Sequence, residues 1–329
     1  MHSGNARAPA LSVVIVTVDR YETIRRTIKH LRAQTARDAL EILIVAPSAA
    51  TLGPVESELD EFREVQVIEV GTVESAGQAR AAAVRRATAP VIAFVEDHSF
   101  PDPGWAAALI EAHQQPWAAV GPAIGNANPG SMISWADLLI DYGRWVEPGA
   151  GGEIDDVPGH NSSYKRALLL EYGPSLDAML ERESVMHQDL RARGHRLYLE
   201  PAAKTHHLNV SRLSSSMSLR FNFGRLFAAD RARNEGWSAA RRLLYVAGAP
   251  LIPFVHLRRI LQQTPLLGRR RDLLAGVLPA LVLGLAVHGL GEMVGYGLGV
   301  GNAAERMYDI EFHRLRHLTK LDAQAAGQF

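Results

Sequence analysis

An apolar run that ends abruptly in three polar side chains constrains the fold of this chain more than any other feature. Residues 91–95 (Val-Ile-Ala-Phe-Val) lead directly into Glu96, Asp97 and His98, and Pro101 then prevents further regular structure. A short unbroken apolar run bounded by turn signals is typical of a strand buried in a parallel sheet. Since open α/β sheets bind ligands at the carboxyl ends of such strands, these side chains are predicted to lie where a ligand binds.

The three side chains after this run suit a divalent cation. Carboxylate oxygens bind Mg²⁺ and Mn²⁺, and an imidazole is a better ligand for Mn²⁺ than for Mg²⁺. We therefore expect Glu96, Asp97 and His98 to hold Mn²⁺ or Mg²⁺ against a diphosphate. Taken alone, the same residues are equally consistent with an acidic loop that only caps the helix predicted at residues 104–113.

Apolar runs and amphipathic stretches alternate along the chain. The predicted strands are residues 11–17, 41–46, 65–70, 91–95 and 120–124, with a short strand and turn at 198–201. The predicted helices are residues 21–34, 75–87, 129–145 and 181–193. Strands that alternate with helices predict a doubly wound α/β sheet with right-handed crossovers.

Composition excludes several classes of function. Lys plus Arg and Asp plus Glu both number 35 in 329 residues, so a nucleic-acid binder acting through bulk charge is not expected. The absence of cysteine excludes disulfides, cysteine zinc sites and thiol catalysis, and it fits a reducing compartment. Residues 1–10 are small and polar, without the apolar core of a signal peptide, and are expected to be a flexible N-terminus.

The C-terminal part of the chain differs in composition from the rest. Residues 243–255 and 273–301 are apolar, and the second stretch exceeds the about 20 residues that span a bilayer. Arginines lie between them, at 258–259 and 269–271, a pattern typical of the cytoplasmic face of a membrane. We expect residues 236–329 to form a helical, membrane-associated region at the cytoplasmic side of the inner membrane. The alternative is a buried helical hairpin on the catalytic domain.

Five short motifs occur in an order that resembles family 2 glycosyltransferases of the GT-A fold. The resemblance covers roughly residues 11–235. The motifs are Thr17-Val-Asp19-Arg20, Ala76-Gly77-Gln-Ala79-Arg80, Glu96-Asp97-His98, the segment from Glu183 to Gly194 followed by Leu197-Tyr-Leu-Glu-Pro201, and the pair His206-His207. No single motif is specific, but together they imply a GT-A domain at 11–235, with a mixed sheet flanked by helices.

The resemblance implies a metal-dependent, inverting glycosyltransferase of polysaccharide biosynthesis. It would move a sugar from a nucleotide-sugar donor to a glycan or lipid-linked acceptor, with Mn²⁺ or Mg²⁺ as cofactor, at the membrane and without a nucleic-acid partner. Glu183 would be the general base that deprotonates the acceptor hydroxyl. The metal ligands would be Glu96, Asp97, His98 and, later in the chain, His207. Nucleotide-sugar contacts would come from Thr17, Asp19, Arg20, Glu74, Gly77 and Arg80, and acceptor contacts from His160, Asn161, Trp135 and Trp145.

Several of these residues also have a purely structural interpretation. Glu183 would complement a helix dipole, and Arg80 would be a solvated charge on a helix face. His207 would be a strand-end residue without a metal role. His160 and Asn161 would belong to a plain turn and helix cap, and the tryptophans would pack a core.

Three departures from the family pattern leave other functions open. Ala46 ends the second strand where the family has an Asp that holds the base, His98 replaces an Asp, and Arg182 precedes Glu183 where an acid is usual. One alternative is therefore a catalytically inactive relative that acts as a binding or scaffold subunit. The other is a nucleotidyltransferase, although residues 17–21 are not the glycine-rich, basic phosphate loop that such an enzyme needs.

Overall fold

The computed structural model describes residues 8–327. Of the predicted flexible N-terminus at residues 1–10, residues 1–7 therefore lie outside the described residues. The strands are β1 (Leu11–Val16), β2 (Leu40–Ala46), β3 (Glu64–Glu69), β4 (Val91–Phe94), β5 (Ser99–Pro101), β6 (Trp117–Asn126), β7 (Gly152–Ile154), β8 (Ser163–Lys165) and β9 (Arg196–His207). The helices of the first half are α1 (Tyr21–Arg32), α2 (Ala49–Leu52), α3 (Glu56–Leu59), α4 (Ala76–Arg86), α5 (Trp105–Ala112) and α6 (Met132–Tyr142).

The later helices are α7 (Arg166–Leu170), α8 (Leu176–Glu181), α9 (Glu183–Ala192), α10 (Leu213–Asn234), α11 (Ala239–Gly248), α12 (Ile252–Gln263), α13 (Pro265–Arg269), α14 (Arg271–Leu298), α15 (Ala303–Phe312) and α16 (Lys320–Gly327). Short 3-10 helices occupy Arg37–Ala39, Gly143–Trp145, Gly159–Asn161, Gly173–Ser175, Ala249–Leu251 and Arg314–His317.

The chain divides into two compact units. The sheet unit comprises residues up to Gly125 together with Glu147–His206, and the helical unit comprises Asn126–Val146 and His207 onward. The domain boundary predicted between residues 235 and 236 falls just after α10, inside the helical unit, and it stays a prediction.

The sheet unit is built on one mixed sheet. Among residues 8–327 its strand order is β3-β2-β1-β4-β8-β6-β9-β5, and β7 pairs with β9. The strands β1, β2, β3 and β4 run parallel, with Leu11 opposite both Leu40 and Val91. The short strand β8 then pairs antiparallel with both β4 and β6. The predicted α/β fold with a mixed sheet and flanking helices is confirmed.

Side chains of the parallel strands and of α1 and α5 form the main core of this unit. Every residue of β1, β2 and β4 is buried, as expected for strands covered on both faces. Ile24, Ile28 and Leu31 of α1 are fully buried at helical spacing against this sheet. The turn predicted within residues 198–201 is wrong, because β9 runs without interruption from Arg196 to His207.

The helical unit is organised around α14, which packs closely on α10. A Cβ added at Gly291 would lie 2.1 Å from the Phe221 carbonyl oxygen, and one at Gly295 would lie 2.3 Å from the Arg225 carbonyl oxygen. The glycines that the sequence shows in this apolar stretch therefore allow two helix backbones to approach each other. Two helical stretches, Ala239–Gln263 and Arg271–Leu298, are long and apolar enough to cross a membrane.

Candidate active site

The polar residues after β4 meet two other segments of the sheet unit. Glu96, Asp97 and His98 are buried despite their polarity, with exposures of 7%, 6% and 4%. The 3-10 helix Gly159–Asn161 brings a histidine and an asparagine beside them, and α9 begins nearby with Glu183. Because buried polar groups need partners, this concentration of polar side chains marks the candidate functional site.

Glu183 is the centre of the arrangement. Its Oε1 accepts a hydrogen bond from an Arg80 guanidinium nitrogen at 2.9 Å, and its Oε2 lies 3.0 Å from His160 Nε2. The side chains of Arg80 and Glu183 are only 7% and 8% exposed. A Cβ at Gly159 would lie 2.3 Å from Glu183 Oε2, so only glycine lets the carboxylate occupy this position.

The environment keeps the Glu183 carboxylate ionised. Burial by itself raises the pKa of Glu183, but the charges of His160 and Arg80 and the hydrogen bond from His160 outweigh it, so the pKa is below its ordinary value. A buried carboxylate that stays charged at neutral pH can accept a proton, which is the property that a general base requires.

His160 connects Glu183 to the first residue of the polar run. Its Nδ1 lies 3.2 Å from Glu96 Oε1, and its Nε2 faces Glu183. An imidazolium, which donates from both nitrogens, satisfies both contacts. Glu96 Oε2 also accepts hydrogen bonds from Asn161 Nδ2 at 2.5 Å and from Ser99 Oγ at 3.2 Å. The predicted acceptor residues His160 and Asn161 are thus held against Glu96.

The predicted cation ligands of the sheet unit lie close together. His98 Nδ1 is 2.6 Å from Asp97 Oδ1, and a ligand atom of Glu96 and one of His98 lie within 4.8 Å of each other. Thr27 Oγ1 fixes the loop by donating to the carbonyl oxygens of Asp97 (2.9 Å) and Ser99 (3.2 Å). The Glu96 carboxylate and the His98 imidazole at this separation, with the adjacent Asp97 carboxylate, are a donor set that fits Mn²⁺.

The fourth predicted metal ligand, His207, belongs to the helical unit. Its Nδ1 is 2.8 Å from Asn209 Oδ1, and its ring packs against that of Tyr142 with 4.9 Å between centroids. The metal role of His207 stays a prediction.

The predicted nucleotide-sugar residues fall into two groups. Thr17 follows β1, whose parallel pairing with β4 places both strand ends at the same edge of the sheet as Glu96. Thr17 is buried and accepts a hydrogen bond from the Asp19 amide at 3.3 Å, Asp19 is half-buried, and Arg20 is exposed. Glu74 is exposed in the loop before α4. Their nucleotide contacts stay predictions.

The start of α4 has structural partners of its own. The Gly77 amide donates to Glu181 Oε2 at 2.7 Å, and a Cβ at Gly77 would lie 2.4 Å from the Asp177 carbonyl oxygen. Gly77 therefore allows α8 to pack closely on α4. Arg80, predicted to contact the nucleotide, is paired with Glu183, a relationship that the sequence analysis did not identify.

The two predicted acceptor tryptophans belong to the helical unit. Trp135 Nε1 donates to the Pro129 carbonyl oxygen at 2.9 Å, and the Trp135 ring packs against an apolar cluster of α6, α12 and α14. The Arg144 guanidinium lies 5.1 Å from the Trp145 ring centroid. Both side chains are half-buried, and their acceptor role stays a prediction.

A second series of polar contacts supports the helix that carries Glu183. Tyr164 of β8 hydrogen-bonds through its hydroxyl to His187 Nε2 at 2.8 Å, and His187 Nδ1 is bonded to Asp156. His187 and Tyr164 are each 1% exposed. The sequence signal for His187 is its spacing from Glu183. Residues four apart share one face of a helix, so His187 lies one turn after Glu183 on the same face.

Comparison with known proteins finds a family match for part of the chain. Residues 12–173 match the family described as Glycosyl transferase family 2. No curated protein matches the chain. Among solved structures, a mannosyltransferase from Pyrobaculum calidifontis, in complex with GDP-Man and Mn²⁺, is 15% identical with a TM-score of 0.48, covering 98% of this chain and 85% of that one.

Another similar structure is GalNAc-T7 with UDP, GalNAc and Mn²⁺, which is 16% identical with a TM-score of 0.44. That match covers 61% of this chain, and the chain spans only 44% of the length of GalNAc-T7.

The mixed sheet, with an acidic motif at the end of a parallel strand, is the arrangement that the resemblance to GT-A domains led us to expect. The match over residues 12–173 agrees with the family that the motifs suggested.

Proposed function

We propose that the protein is a metal-dependent, inverting glycosyltransferase. It moves a sugar from a nucleotide-sugar donor to a glycan or lipid-linked acceptor at the cytoplasmic face of a membrane, in polysaccharide biosynthesis. The family match supports the transferase class. The buried, ionised carboxylate of Glu183, paired with Arg80 and His160, is the observation that carries the proposal.

A single base is what an inverting transfer needs. As the acceptor oxygen attacks the anomeric carbon, its proton passes to a Glu183 carboxylate oxygen, the bond from that carbon to the diphosphate oxygen breaks, and the nucleoside diphosphate leaves. His160 and Arg80 keep Glu183 deprotonated before the step. Burial excludes bulk water from the carboxylate, so that the acceptor hydroxyl competes with little solvent for the base.

Glu96, Asp97 and His98 would hold the divalent cation, Mn²⁺ or Mg²⁺. His207, which follows later in the chain, would be a further ligand. Glu96 and His98 offer ligand atoms within 4.8 Å of each other, and Asp97 adds a carboxylate beside His98. When bound, such a cation neutralises the charge that develops on the diphosphate leaving group.

The surface of the helical unit supports association with a membrane. In the stretch Ala239–Gln263 only 11% of the most apolar window is buried, which does not fit the alternative of a buried hairpin. Large apolar side chains are instead exposed: Leu243 (66%), Leu244 (69%), Leu251 (66%) and Phe254 (71%). Soluble monomers rarely leave such side chains exposed together.

Transferase activity is tested with a panel of nucleotide sugars, with and without Mn²⁺. We expect one donor to stabilise the native protein in the presence of Mn²⁺, by about 2.7 kcal/mol at 100 times its Kd. Glu183→Gln should still bind that donor but lose turnover. Glu111→Gln, which changes an exposed carboxylate on α5, should keep both. A folded protein that binds no donor would favour the inactive scaffold subunit.

Membrane association is tested by flotation with phosphatidylcholine vesicles. Because burying a Leu or Phe side chain contributes about 1.5–3 kcal/mol, the double variant Leu251→Ser, Phe254→Ser should weaken partitioning at least about tenfold. Leu321→Ser, which alters a leucine of α16 that is 77% exposed, is the matched control. Equal losses in both variants, or no flotation of the wild type, would contradict the membrane proposal.

A further inference from the structure

Two cavities adjoin along one side of α12 in the helical unit. The larger, of about 520 Å³, lies among α10, α11, α12 and α14. The smaller, of about 170 Å³, lies between α12 and the segment from Leu139 to Trp145. His256 and Arg259 line both cavities. The two cavities therefore form one groove, whose larger part has the size of a small-molecule site, about 300–1,000 Å³.

The smaller end of the groove is polar and cationic. Arg144, Arg259 and the Gln263 amide line it. Asp141 lines it as well, but both of its carboxylate oxygens accept hydrogen bonds from Arg220, at 2.6 and 2.7 Å. Across residues 8–327, no carboxylate lies within ion-pair distance of Arg259. Arg259 thus presents positive charge at this end that Asp141 does not neutralise.

The larger end of the groove is mainly apolar, and its charged groups other than Arg259 are already paired. Leu244, Leu251 and Val255 are among the side chains that line it. Glu292 is held by His288 Nε2 at 3.1 Å and by the Tyr296 hydroxyl at 3.3 Å. This end therefore offers an apolar wall.

Arg231 also lines this end, and its Nε donates to Glu235 at 3.2 Å. Its guanidinium lies 5.0 Å from the Trp237 ring centroid and 5.4 Å from that of Tyr245. The charge of Arg231 is thus engaged within the protein, which leaves Arg259 as the cation shared with the polar end.

We infer that this groove binds a membrane lipid with a phosphate head. The phosphate lies against Arg259, because a guanidinium binds phosphate oxygens through two parallel hydrogen bonds. The hydrocarbon chain lies in the apolar end, where it is removed from water. The inference rests on the proposed membrane association and extends it, because a helix that only lies on a membrane needs no groove with charge at one end.

The test uses the full chain in a non-ionic detergent, with thermal stability as the readout. The probes are short-chain phosphatidic acid, the diacylglycerol with the same chains, and inorganic phosphate. We expect only phosphatidic acid to stabilise the wild type. Arg259→Gln should weaken the apparent affinity at least about tenfold, since it removes the charge-assisted hydrogen bonds to the phosphate. Arg259→Lys should recover part of this loss by restoring the charge.

Arg258→Gln is the matched control, because it removes the same charge from an exposed neighbour that lines neither cavity. It should leave the affinity for phosphatidic acid unchanged. Equal losses in the Arg258 and Arg259 variants would mean general surface attraction and would overturn the inference. So would equal stabilisation by diacylglycerol, stabilisation by inorganic phosphate alone, or no response to phosphatidic acid.

Failure of this inference is distinguishable from failure of the proposed function. Flotation on neutral phosphatidylcholine vesicles reports membrane association without a phosphatidic acid head, and donor binding reports the transferase site. A wild type that floats and binds a donor, but that phosphatidic acid does not stabilise, would overturn the lipid site alone.

Discussion

Arg80 and Glu183 form an ion pair with 2.9 Å between guanidinium nitrogen and carboxylate oxygen, and less than a tenth of either side chain is exposed. They are contributed by α4 and α9, which are far apart in the sequence. Removing one member of a buried pair leaves the other charge without compensation, which costs far more than the pair itself contributes. Arg80 therefore affects both the stability of the sheet unit and the basicity of Glu183.

Arg80→Gln should raise the pKa of Glu183, because burial then opposes ionisation with only His160 and His187 to counter it. We expect the acidic limb of the pH profile of kcat to move to higher pH, and the free energy of unfolding to fall by about 3 kcal/mol. Arg80→Lys retains the charge and should move the limb less. An acidic limb at the wild-type pH in folded Arg80→Gln would show that Glu183 is not the titrating base.

Gly159→Ala should lower activity by displacing Glu183. The added Cβ would lie 2.3 Å from Glu183 Oε2, a distance that real side chains do not tolerate. Since a misplacement of about 1 Å can cost about 100-fold in rate, we expect kcat to fall by about that factor with donor binding retained. Gly104→Ala is the control, because its Cβ would meet nothing within 4 Å. Similar activities of the two alanine variants would contradict this geometry.

The parallel half of the sheet could be predicted because its strands are unbroken apolar runs that end in turn signals. β1, β2, β3 and β4 lie within one residue of their predicted positions. By contrast, β5, β7 and β8 have three residues each, too few to show a periodicity. Their places depend on pairing with strands that are distant in sequence, as when β8 joins β4 to β6.

The same distinction holds for the candidate site. Glu96, Asp97, His98 and Glu183 could be singled out because each stands at the end or start of a regular element. Their partners could not, since the contact of Arg80 with Glu183 spans 103 residues and that of His160 with Glu96 spans 64. Such contacts follow from the packing of α9 and the 3-10 helix beside β4, which local patterns do not encode.

Tyr164→Phe should impair catalysis without touching the reacting groups. It removes the hydroxyl that holds His187 Nε2, one helical turn after Glu183. If this contact positions the start of α9, kcat should fall about tenfold while the donor KM stays the same. Tyr172→Phe is a matched control, because its hydroxyl donates to Asp189 of the same helix at 2.7 Å. Each variant should lose about 1 kcal/mol of stability, so an equal effect of both on kcat would indicate a merely structural role.

His113 should make the sheet unit sensitive to acid below neutral pH. Burial lowers the pKa of His113 from 6.5 to about 3, and its Nε2 lies 2.9 Å from Ser163 Oγ. Because the folded-state pKa is depressed, the unfolded chain binds a proton below pH 6.5 that the folded protein refuses until about pH 3. The stability from the neutral imidazole is therefore complete above pH 6.5 and is lost as pH falls, at about 1.4 kcal/mol per pH unit.

His113→Gln, which keeps a polar group near Ser163 but cannot titrate, should retain about 2 kcal/mol more of its neutral-pH stability at pH 5 than the wild type does. Urea unfolding at both pH values measures the difference, and parallel losses in the two proteins would show that His113 is protonated in the folded state as readily as in the unfolded chain.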